Sequence, residues 1–366
     1  MNNDYTAAMK LAIRLARRAE GMTSPNPMVG AVLLDARGRV IGKGFHHRAG
    51  EPHAEVMAIR DAGRIPQGST LVVTLEPCNH FGRTPPCTRA ILQAGIGKVV
   101  LANRDPNPGV AGGGAAHLKR AGIEVVSGVC SQEAARLNEA YFKHVRTSLP
   151  FVSLKLALGM DGRIAAHDGS SKWITSAGAR QQVHALRNTV DAIVVGVGTV
   201  MKDDPALTVR HVSMRDRVLY RVIFDTHLRT PIRAKVIAGQ NAHYKTIILT
   251  ASPDTARAAA FERKGVEVVR IKTTAQVLPV RDALNFLGKR FMHILVEGGA
   301  GLAGSLVRAR LVDKFHVFIA PVIIGSDGLY PFQGVVLKSM KNAIRFKEVH
   351  WDTFGADCLM TGYPEW

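Results

Sequence analysis

The chain has 366 residues, of which 46% are hydrophobic and 21% charged, and it carries a formal net charge of +19. This length exceeds that of an ordinary single domain, so two domains are expected. No apolar run is long enough to span a membrane, and residues 1–20 mix charged and apolar positions unlike a signal peptide. These features argue against a membrane or secreted protein and favour a cytoplasmic one.

In the first 146 residues, short apolar strands alternate with helical patterns. The predicted helices are 4–20, 53–62, 88–94, 112–121 and 132–145, and the predicted strands are 29–34, 40–45, 70–75, 98–102 and 123–126. Such alternation implies a sheet with helices on both faces.

A second domain is expected to begin at residue 147, where the closing helix gives way to a new strand. The predicted strands are 151–157, 192–195, 218–225, 246–250, 266–270, 293–296 and 315–320, and the predicted helices are 176–188, 275–287 and one that follows the 298–304 turn. This alternation also indicates an α/β domain, so the predicted domains are 1–146 and 147–366.

The most informative motif is His53-Ala54-Glu55, followed by Cys78 and Cys87. One imidazole and two thiolates form a three-ligand zinc set that leaves a fourth position open for water. The nucleobase zinc deaminases combine such a set with a glutamate that moves protons without binding the metal. Their common signature is Pro-Cys-x-x-Cys, whereas eight residues separate the two cysteines here.

A closed structural zinc site is the alternative, with His80 or His46 as the fourth ligand. Such a site would give Glu55 no role, and a chain of this length needs no metal to complete its core. Residues two apart on a helix face different sides, so Glu55 can reach the site only if the motif begins a helix. The remaining cysteines, Cys130 and Cys358, are expected to be buried thiols.

A glycine-rich turn, Gly299–Gly304, follows an apolar strand and opens a helix. Its Gly-x-Gly-x-x-Gly pattern is typical of turns whose backbone N–H groups bind a phosphate. The next strand does not end in an acid, so a full Rossmann motif is not indicated. Tight packing of helix on strand accounts for the glycines equally well.

Further candidate residues surround a second glycine-bearing strand end, 195–199. Asp203–Asp204 offers a polar anchor, although acids at such positions often only cap a helix or turn. Arg187 and Arg210 could clamp a phosphate, although most arginines are simply solvated. Trp173 is expected in the core rather than as a stacking platform.

The positive charge is spread over both halves of the chain, so there is no single cationic tail. Nucleic-acid binding would account for such a charge. However, aromatic residues make up only 6% of the chain, and no stretch interleaves them with Arg or Lys. The composition therefore favours attraction of small anionic ligands, such as phosphorylated metabolites and a phosphorylated dinucleotide.

Together these residues resemble the bifunctional riboflavin-biosynthesis deaminase/reductase family of bacteria over nearly the whole chain. The segments that carry the resemblance are 25–30, 49–55, 74–87, 105–108, 158–163, 173–176, 198–210 and 297–299. The long spacing between the cysteines is that family's form. The resemblance implies an N-terminal cytidine-deaminase-like α/β/α sandwich and a C-terminal dihydrofolate-reductase-like α/β domain.

The activity implied by the resemblance has two steps. Zinc-dependent hydrolysis would remove the ring amine of 2,5-diamino-6-ribosylamino-4(3H)-pyrimidinone 5′-phosphate, and NADPH would then reduce the ribosyl side chain to ribityl. The implied deaminase residues are zinc ligands His53, Cys78 and Cys87, proton carrier Glu55, ring or ribose contacts Asn26 and His80, and phosphate contact Arg83.

The resemblance also assigns residues of the reductase domain. The implied cofactor contacts are Ala157, Trp173, Thr199, Asp203, Thr226, Gly299, Ala300, Gly301, Leu302, Ala303, Gly304 and Ser305, and the implied substrate contacts are Ser171, Arg187, Leu207, Arg210 and Glu297. The expected partner is a small phosphorylated pyrimidine rather than a nucleic acid or a membrane, and the chain is expected to form a homo-oligomer.

Overall fold

A computed structural model describes residues 4–107, 113–273 and 277–366 and separates into two α/β units between Ser148 and Leu149. The first residue of the predicted helix 112–121, the first two residues of helix 275–287 and the last residue of segment 105–108 lie outside the described residues.

The first unit is built on a five-stranded mixed sheet with the order β2-β1-β3-β4-β5. Its strands are β1 (Gly30–Leu34), β2 (Val40–Phe45), β3 (Thr70–Leu75), β4 (Lys98–Asn103) and β5 (Glu124–Ser127). Its helices are α1 (Thr6–Arg17), α2 (Ala54–Ala62), α3 (Cys87–Gln93), α4 (Gly114–Arg120), α5 (Ser131–Leu137) and α6 (Glu139–Thr147). Strands β1 and β2 pair as the predicted antiparallel hairpin, whereas β3, β4 and β5 run parallel.

Apolar side chains cover both faces of this sheet. Residues of α2, α3 and α4 pack on one face, and residues of α1 and α5 pack on the other. The unit is therefore an α/β/α sandwich, and the expected cytidine-deaminase-like architecture is confirmed.

Helix α2 lies very close to strand β2 because the strand carries glycines where the two elements touch. A Cβ atom at Gly42 would lie 2.3 Å from the Ala58 carbonyl oxygen, and one at Gly44 would lie 2.5 Å from that of Ala54. No side chain fits in either place. This contact fixes the first turn of α2, where the His-Ala-Glu motif lies.

The second unit contains a nine-stranded sheet with the order β10-β9-β8-β7-β11-β6-β12-β14-β13. The strands are β6 (Phe151–Gly159), β7 (Ala192–Gly196), β8 (Leu219–Phe224), β9 (Tyr244–Thr250), β10 (Glu267–Arg270), β11 (His293–Val296), β12 (Lys314–Ala320), β13 (Arg345–Phe354) and β14 (Asp357–Glu365). The helices are α7 (Ala177–Arg187), α8 (Val197–Asp203), α9 (Lys235–Ala238), α10 (Thr255–Glu262), α11 (Val280–Gly288) and α12 (Ala300–Arg308). A short 3₁₀ helix, Met340–Asn342, precedes β13.

Seven of these strands, β10 through β12 in the sheet order, pair in parallel, whereas β14 pairs antiparallel with both of its neighbours, β12 and β13. Large apolar clusters cover the two faces of the sheet. The expected α/β fold of this half is confirmed. Helices α8, α9 and α10 and the closing β13–β14 hairpin were not predicted. Strand β13 is exposed at eight of its ten positions and lacks a buried face.

The two remaining cysteines are more accessible than expected. Cys130 and Cys358 are free and half-buried rather than buried. Among the described helices, none is both long enough and apolar enough to cross a bilayer.

Candidate active sites

Three elements of the first unit bring the predicted zinc ligands together. His53 is the N-cap of α2 and has an extended backbone, with φ −75° and ψ 165°. Cys78 follows the carboxyl end of β3, and Cys87 is the first residue of α3. The ligands therefore lie at one strand end and two helix starts, where α/β folds commonly place functional groups.

The three ligand atoms lie within 4.8 Å of one another. His53 Nδ1 is 3.2 Å from Cys87 Sγ and 3.5 Å from Cys78 Sγ. The backbone N–H of Cys87 donates to Cys78 Sγ over 3.3 Å. One imidazole nitrogen and two sulfurs thus converge as a tetrahedral metal site with an open position requires.

The electrostatics of the cluster favour a thiolate. Hydrogen bonds from the Cys87 side chain and from His53 outweigh burial and lower the pKa of Cys78 to about 4. The hydrogen bond to Cys78 raises the pKa of His53. A thiolate beside an imidazole is the donor chemistry that zinc prefers.

Glu55 is the second residue of α2, and only 3% of it is exposed. Burial raises the pKa of its carboxyl group to about 7. Its Oε2 atom has no hydrogen-bond partner among the described residues. A buried carboxyl group with a free oxygen and a pKa near neutrality can both accept and return a proton.

His46 belongs to this neighbourhood but is not arranged as a ligand. Its ring meets that of His53 edge to face, with centroids 5.1 Å apart. Its Nδ1 lies 3.2 Å from the Pro52 carbonyl oxygen, and its Nε2 lies 3.0 Å from the side-chain nitrogen of Asn26. Since the oxygen can only accept, Nδ1 donates and Nε2 accepts from the Asn26 amide. Both nitrogens are engaged, so His46 does not supply the fourth ligand.

The other predicted substrate contacts of this unit lie at the surface of the segment between the cysteines. His80 and Arg83 are both exposed. Thr84, which the sequence analysis did not single out, places its hydroxyl 3.5 Å from His53 Nε2. The metal-ligating group among the described residues contains His53, Cys78 and Cys87, and His80 is not part of it.

The second unit has a cleft of about 970 Å³ at the carboxyl ends of its parallel strands. Most of the predicted reductase residues line it: Ala157, Ser171, Arg187, Thr199, Asp203, Leu207, Thr226, Glu297, Gly299, Ala300, Gly301, Leu302 and Ser305. Ligands of open α/β sheets bind at this edge.

Four predicted reductase residues do not line the cleft: Trp173, Arg210, Ala303 and Gly304. The expectation that Trp173 belongs to the core is wrong, because it is 73% exposed and its ring lies against Arg180. Arg210 is exposed, and its backbone N–H donates to His184 Nδ1.

The two ends of the glycine-rich turn lie in different surroundings. Gly299 is the N-cap of α12, and its backbone N–H donates to the Thr199 hydroxyl over 3.1 Å. The first residues of the turn line the cleft at the positive end of a helix, where a phosphate is favoured. Gly304 instead packs within the fold, since a Cβ there would lie 2.1 Å from the Gln333 carbonyl oxygen.

Arg187 and Glu297 form a buried ion pair in the wall of the cleft. Arg187 Nε donates to Glu297 Oε1 over 2.6 Å and Nη2 donates to Oε2 over 2.9 Å, while Nη1 donates to the Thr208 carbonyl oxygen. Burial alone would raise the pKa of Glu297, but the charge and hydrogen bonds of Arg187 outweigh it and lower that pKa. With its donors engaged in this way, Arg187 is not poised as a phosphate clamp.

Lys155 is a cleft residue that the sequence analysis missed. It lies on β6, two residues before Ala157 and on the same face of the strand. Burial lowers the pKa of its ammonium group, while Glu297 acts in the opposite direction. The available signal was a single lysine inside an otherwise apolar strand.

Comparisons with known proteins agree with this geometry in both units. The family model for the cytidine and deoxycytidylate deaminase zinc-binding region matches residues 2–103, and the model for the RibD C-terminal domain matches residues 150–360. The riboflavin biosynthesis protein RibD of Aquifex aeolicus is 42% identical over 353 residues, covering 96% of each chain. That of Escherichia coli is 42% identical over 358 residues, covering 95% of this chain and 96% of its own.

Solved structures give the same result. RibD of Acinetobacter baumannii superposes with a TM-score of 0.88 at 37% identity, with 99% of both chains covered. A Thermotoga maritima protein described as a diaminohydroxyphosphoribosylaminopyrimidine deaminase/5-amino-6-(5-phosphoribosylamino)uracil reductase superposes with a TM-score of 0.87, also at 37% identity and 99% coverage of both chains.

Proposed function

The chain belongs to the RibD family of bifunctional deaminase/reductases of riboflavin biosynthesis, and we propose which of its residues carry the two reactions. The deaminase domain occupies residues 1–146 and the reductase domain residues 147–366, close to the structural division between Ser148 and Leu149. The substrate of the first reaction is 2,5-diamino-6-ribosylamino-4(3H)-pyrimidinone 5′-phosphate.

His53, Cys78 and Cys87 hold the zinc ion of the deaminase. Their donor set fits it, since an imidazole nitrogen and two cysteine sulfurs lie within 4.8 Å of one another. Zinc in such a site acts as a Lewis acid that makes hydroxide available near neutral pH. Glu55 carries the two protons of the attacking water in turn, one to the ring nitrogen and one to the amine, so that a ring carbonyl forms and ammonia leaves. The free Oε2 of buried Glu55 is the observation that carries this assignment.

Asn26, His80 and Arg83 bind the substrate of the deaminase. The side-chain nitrogen of Asn26 donates to His46, which leaves the side-chain oxygen of Asn26 available to accept a hydrogen bond from a ring amine. Arg83 is exposed beside the cluster and offers a guanidinium for the phosphate.

The cleft of the second unit holds NADPH and the deaminated intermediate. The cleft fits a dinucleotide because the N-terminus of α12 and the glycines before it face its interior. NADPH supplies the hydride that reduces the ribosyl group to ribityl. Ala157, Thr199, Asp203 and Thr226 contact the cofactor, together with the turn that starts at Gly299.

Ser171, Leu207, Arg210 and Glu297 contact the substrate of the reductase. Arg187 acts on it through Glu297, whose carboxylate it holds with two hydrogen bonds. Leu207 is 3% exposed and lines the cleft. Lys155, which lies near Glu297 in the same wall, joins this set.

The chain acts as a cytoplasmic homo-oligomer. Strand β13 forms one edge of the nine-stranded sheet and is exposed along most of its length, including Val349 at 43% and Trp351 at 57%. A long exposed edge strand invites pairing with a second chain. Light scattering at several concentrations tests this, and a monomer at every concentration would contradict it.

Glu55→Gln tests the assignment of the deaminase. We expect the variant to keep zinc, as measured by atomic absorption, and to release ammonia at least about 100-fold more slowly. NADPH oxidation on the deaminated intermediate should persist. Glu51→Gln is the matched control, since Glu51 lies two residues from His53 on its other side and is exposed. Ammonia release at the parent rate by Glu55→Gln would refute the assignment.

A further inference from the structure

The loop from Asp204 to His211 has an unusual backbone. Three of its non-glycine residues have positive φ angles, namely 41° at Asp204, 49° at Leu207 and 62° at His211. Each such residue costs free energy and persists only where surrounding contacts enforce it. The loop carries Leu207 and Arg210, the proposed substrate contacts, so its conformation bears on the reductase site.

Side chains from three different elements enforce this conformation, because they bond the loop's backbone groups directly. Two arginines donate to carbonyl oxygens of the loop: Arg221 Nη1 to that of Ala206 over 3.2 Å, and Arg187 Nη1 to that of Thr208 over 2.8 Å. Two N–H groups of the loop donate in turn, that of Val209 to the Tyr244 hydroxyl over 3.0 Å and that of Arg210 to His184 Nδ1 over 3.1 Å.

Arg221 is the exceptional member of this set. It lies on β8 and is completely buried, on the same face as Leu219 and Ile223 of an apolar cluster. Its Nε and Nη2 have no hydrogen-bond partner among the described residues. Its guanidinium carbon lies 5.5 Å from the centre of the Tyr244 ring. Burial lowers the pKa of Arg221 to about 10.

A buried charge without a carboxylate partner is unfavourable, and an apolar side chain of similar size often makes such a site more stable. Retention of arginine here therefore requires a reason other than stability. The only hydrogen bond that the described structure gives Arg221 is the one to the Ala206 carbonyl oxygen, next to Leu207. That bond acts on the loop that faces the substrate.

We propose that Arg221, assisted by Tyr244, is a positioning residue of the reductase that holds the 204–211 loop in its strained, substrate-binding conformation. This inference rests on the proposed contacts of Leu207 and Arg210 with the pyrimidine substrate. Arg221 itself does not line the cleft, and it belongs to a different unit from His53, Cys78 and Cys87. Loss of the clamp lets the loop relax, so that binding of the substrate must restore the strained form.

Arg221→Met separates this role from a structural one. We expect the KM for the deaminated pyrimidine to rise about tenfold, which corresponds to about 1.4 kcal/mol. The KM for NADPH and the rate of ammonia release should stay at parental values, and the thermal midpoint should be unchanged or higher. Tyr244→Phe, which keeps the ring but removes the acceptor for the Val209 N–H, should also raise the pyrimidine KM selectively. It provides the test if Arg221→Met folds poorly.

Arg257→Met is the control, because Arg257 also lies beside an aromatic ring, that of Phe261, and also donates to backbone carbonyl oxygens, but to those of Leu228 and Thr230, outside the loop. It should leave the pyrimidine KM unchanged. Parental kinetics in both Arg221→Met and Tyr244→Phe would overturn the proposal, as would an equal loss in every kinetic parameter. Arg210→Ala distinguishes a failure of the proposed substrate contact from a failure of the proposed clamp. An unchanged pyrimidine KM in Arg210→Ala would refute that substrate contact, whereas a raised one beside parental kinetics in Arg221→Met and Tyr244→Phe would refute the clamp alone.

Discussion

The ion pair between Arg187 and Glu297 gives the sharpest prediction for the second unit. The two side chains are only 12% and 10% exposed and share two parallel hydrogen bonds of 2.6 and 2.9 Å. Glu297→Ala leaves the Arg187 guanidinium buried without its counter-charge. Removal of one partner of a buried pair typically costs about 3–5 kcal/mol.

For a domain of this size, such a loss lowers the thermal midpoint by roughly 10 °C. Differential scanning calorimetry measures it, with ammonia release as the check that the first unit stays intact. Glu267→Ala is the matched control, because Glu267 pairs with Arg290 at the surface, where the side chains are 45% and 30% exposed. An exposed pair contributes about 1 kcal/mol or less, so this variant should melt close to the parent.

Replacing both partners separates stability from function. In Arg187→Met/Glu297→Leu the desolvation penalty disappears with the charges, so we expect the melting temperature to recover most of the loss. NADPH oxidation should be abolished in Glu297→Ala and in the double variant alike, because both lack the Glu297 carboxylate in the cleft wall. A double variant as unstable as Glu297→Ala, or a single variant that melts like Glu267→Ala, would refute the reasoning.

The pH dependence of this pair has a definite sign. Burial opposes ionisation of Glu297, but Arg187 more than compensates and holds its folded pKa below the usual value. The stabilisation is therefore complete above the ordinary glutamate pKa and is lost as the pH falls through the lower folded value. Glu297→Ala should flatten the acid limb of the stability curve.

Three further predictions concern other parts of the molecule. Zinc removal by a chelator should abolish ammonia release while NADPH oxidation on the deaminated intermediate continues, and restoring zinc should reverse the effect. Burial lowers the pKa of His316 to about 3, so the folded protein keeps this side chain neutral. The free energy of unfolding is therefore fully retained above about pH 6.5 and declines as the pH falls, by roughly 2–3 kcal/mol at pH 4.5. Thermal melts of His316→Phe should show a correspondingly weaker dependence on pH in that range. Gly304→Ala should lower the melting temperature by several degrees, because its Cβ would meet the Gln333 carbonyl oxygen at 2.1 Å. Gly198→Ala is the control, since nothing lies within 4 Å of the new Cβ. It should melt normally and change only the KM for NADPH, because Gly198 lines the cleft.

The sequence predicted most of the architecture because strand and helix alternate with clear apolar patterns up to residue 320. The closing hairpin escaped prediction because β13 is exposed at eight of its ten positions and so lacks the continuous apolar run that marked the other strands. Helix α8 escaped for a different reason. Its sequence, Val-Gly-Thr-Val-Met-Lys-Asp, continues an apolar strand, and only the tertiary structure shows that the chain turns at Gly196.

The cluster of His53, Cys78 and Cys87 was predictable because the chain has only four cysteines, and two of them follow a His-Ala-Glu motif in a pattern known from zinc deaminases. The contacts of the reductase cleft were harder to predict, because they depend on which hydrogen-bond donors already bond to other groups of the protein. Nothing in the sequence shows that Arg187 donates three hydrogen bonds to Glu297 and Thr208. Nor does it show that Lys155 faces the cleft, since a lysine within a strand is ordinarily at an exposed edge.

The location of the positive charge bears on the ligand class that the composition favoured. Five basic side chains line the cleft of the second unit, namely Lys155, Arg187, Lys202, Arg229 and Arg308, against the carboxylates of Asp203 and Glu297. Since Arg187 and Glu297 neutralise each other, the cleft retains a net positive charge. A concave site with low-dielectric walls concentrates the field of such charges on a ligand inside it more strongly than a convex surface does. Cations placed in this way favour an anionic ligand, as the proposed NADPH and pyrimidine phosphate are, and they make up part of the net charge of +19.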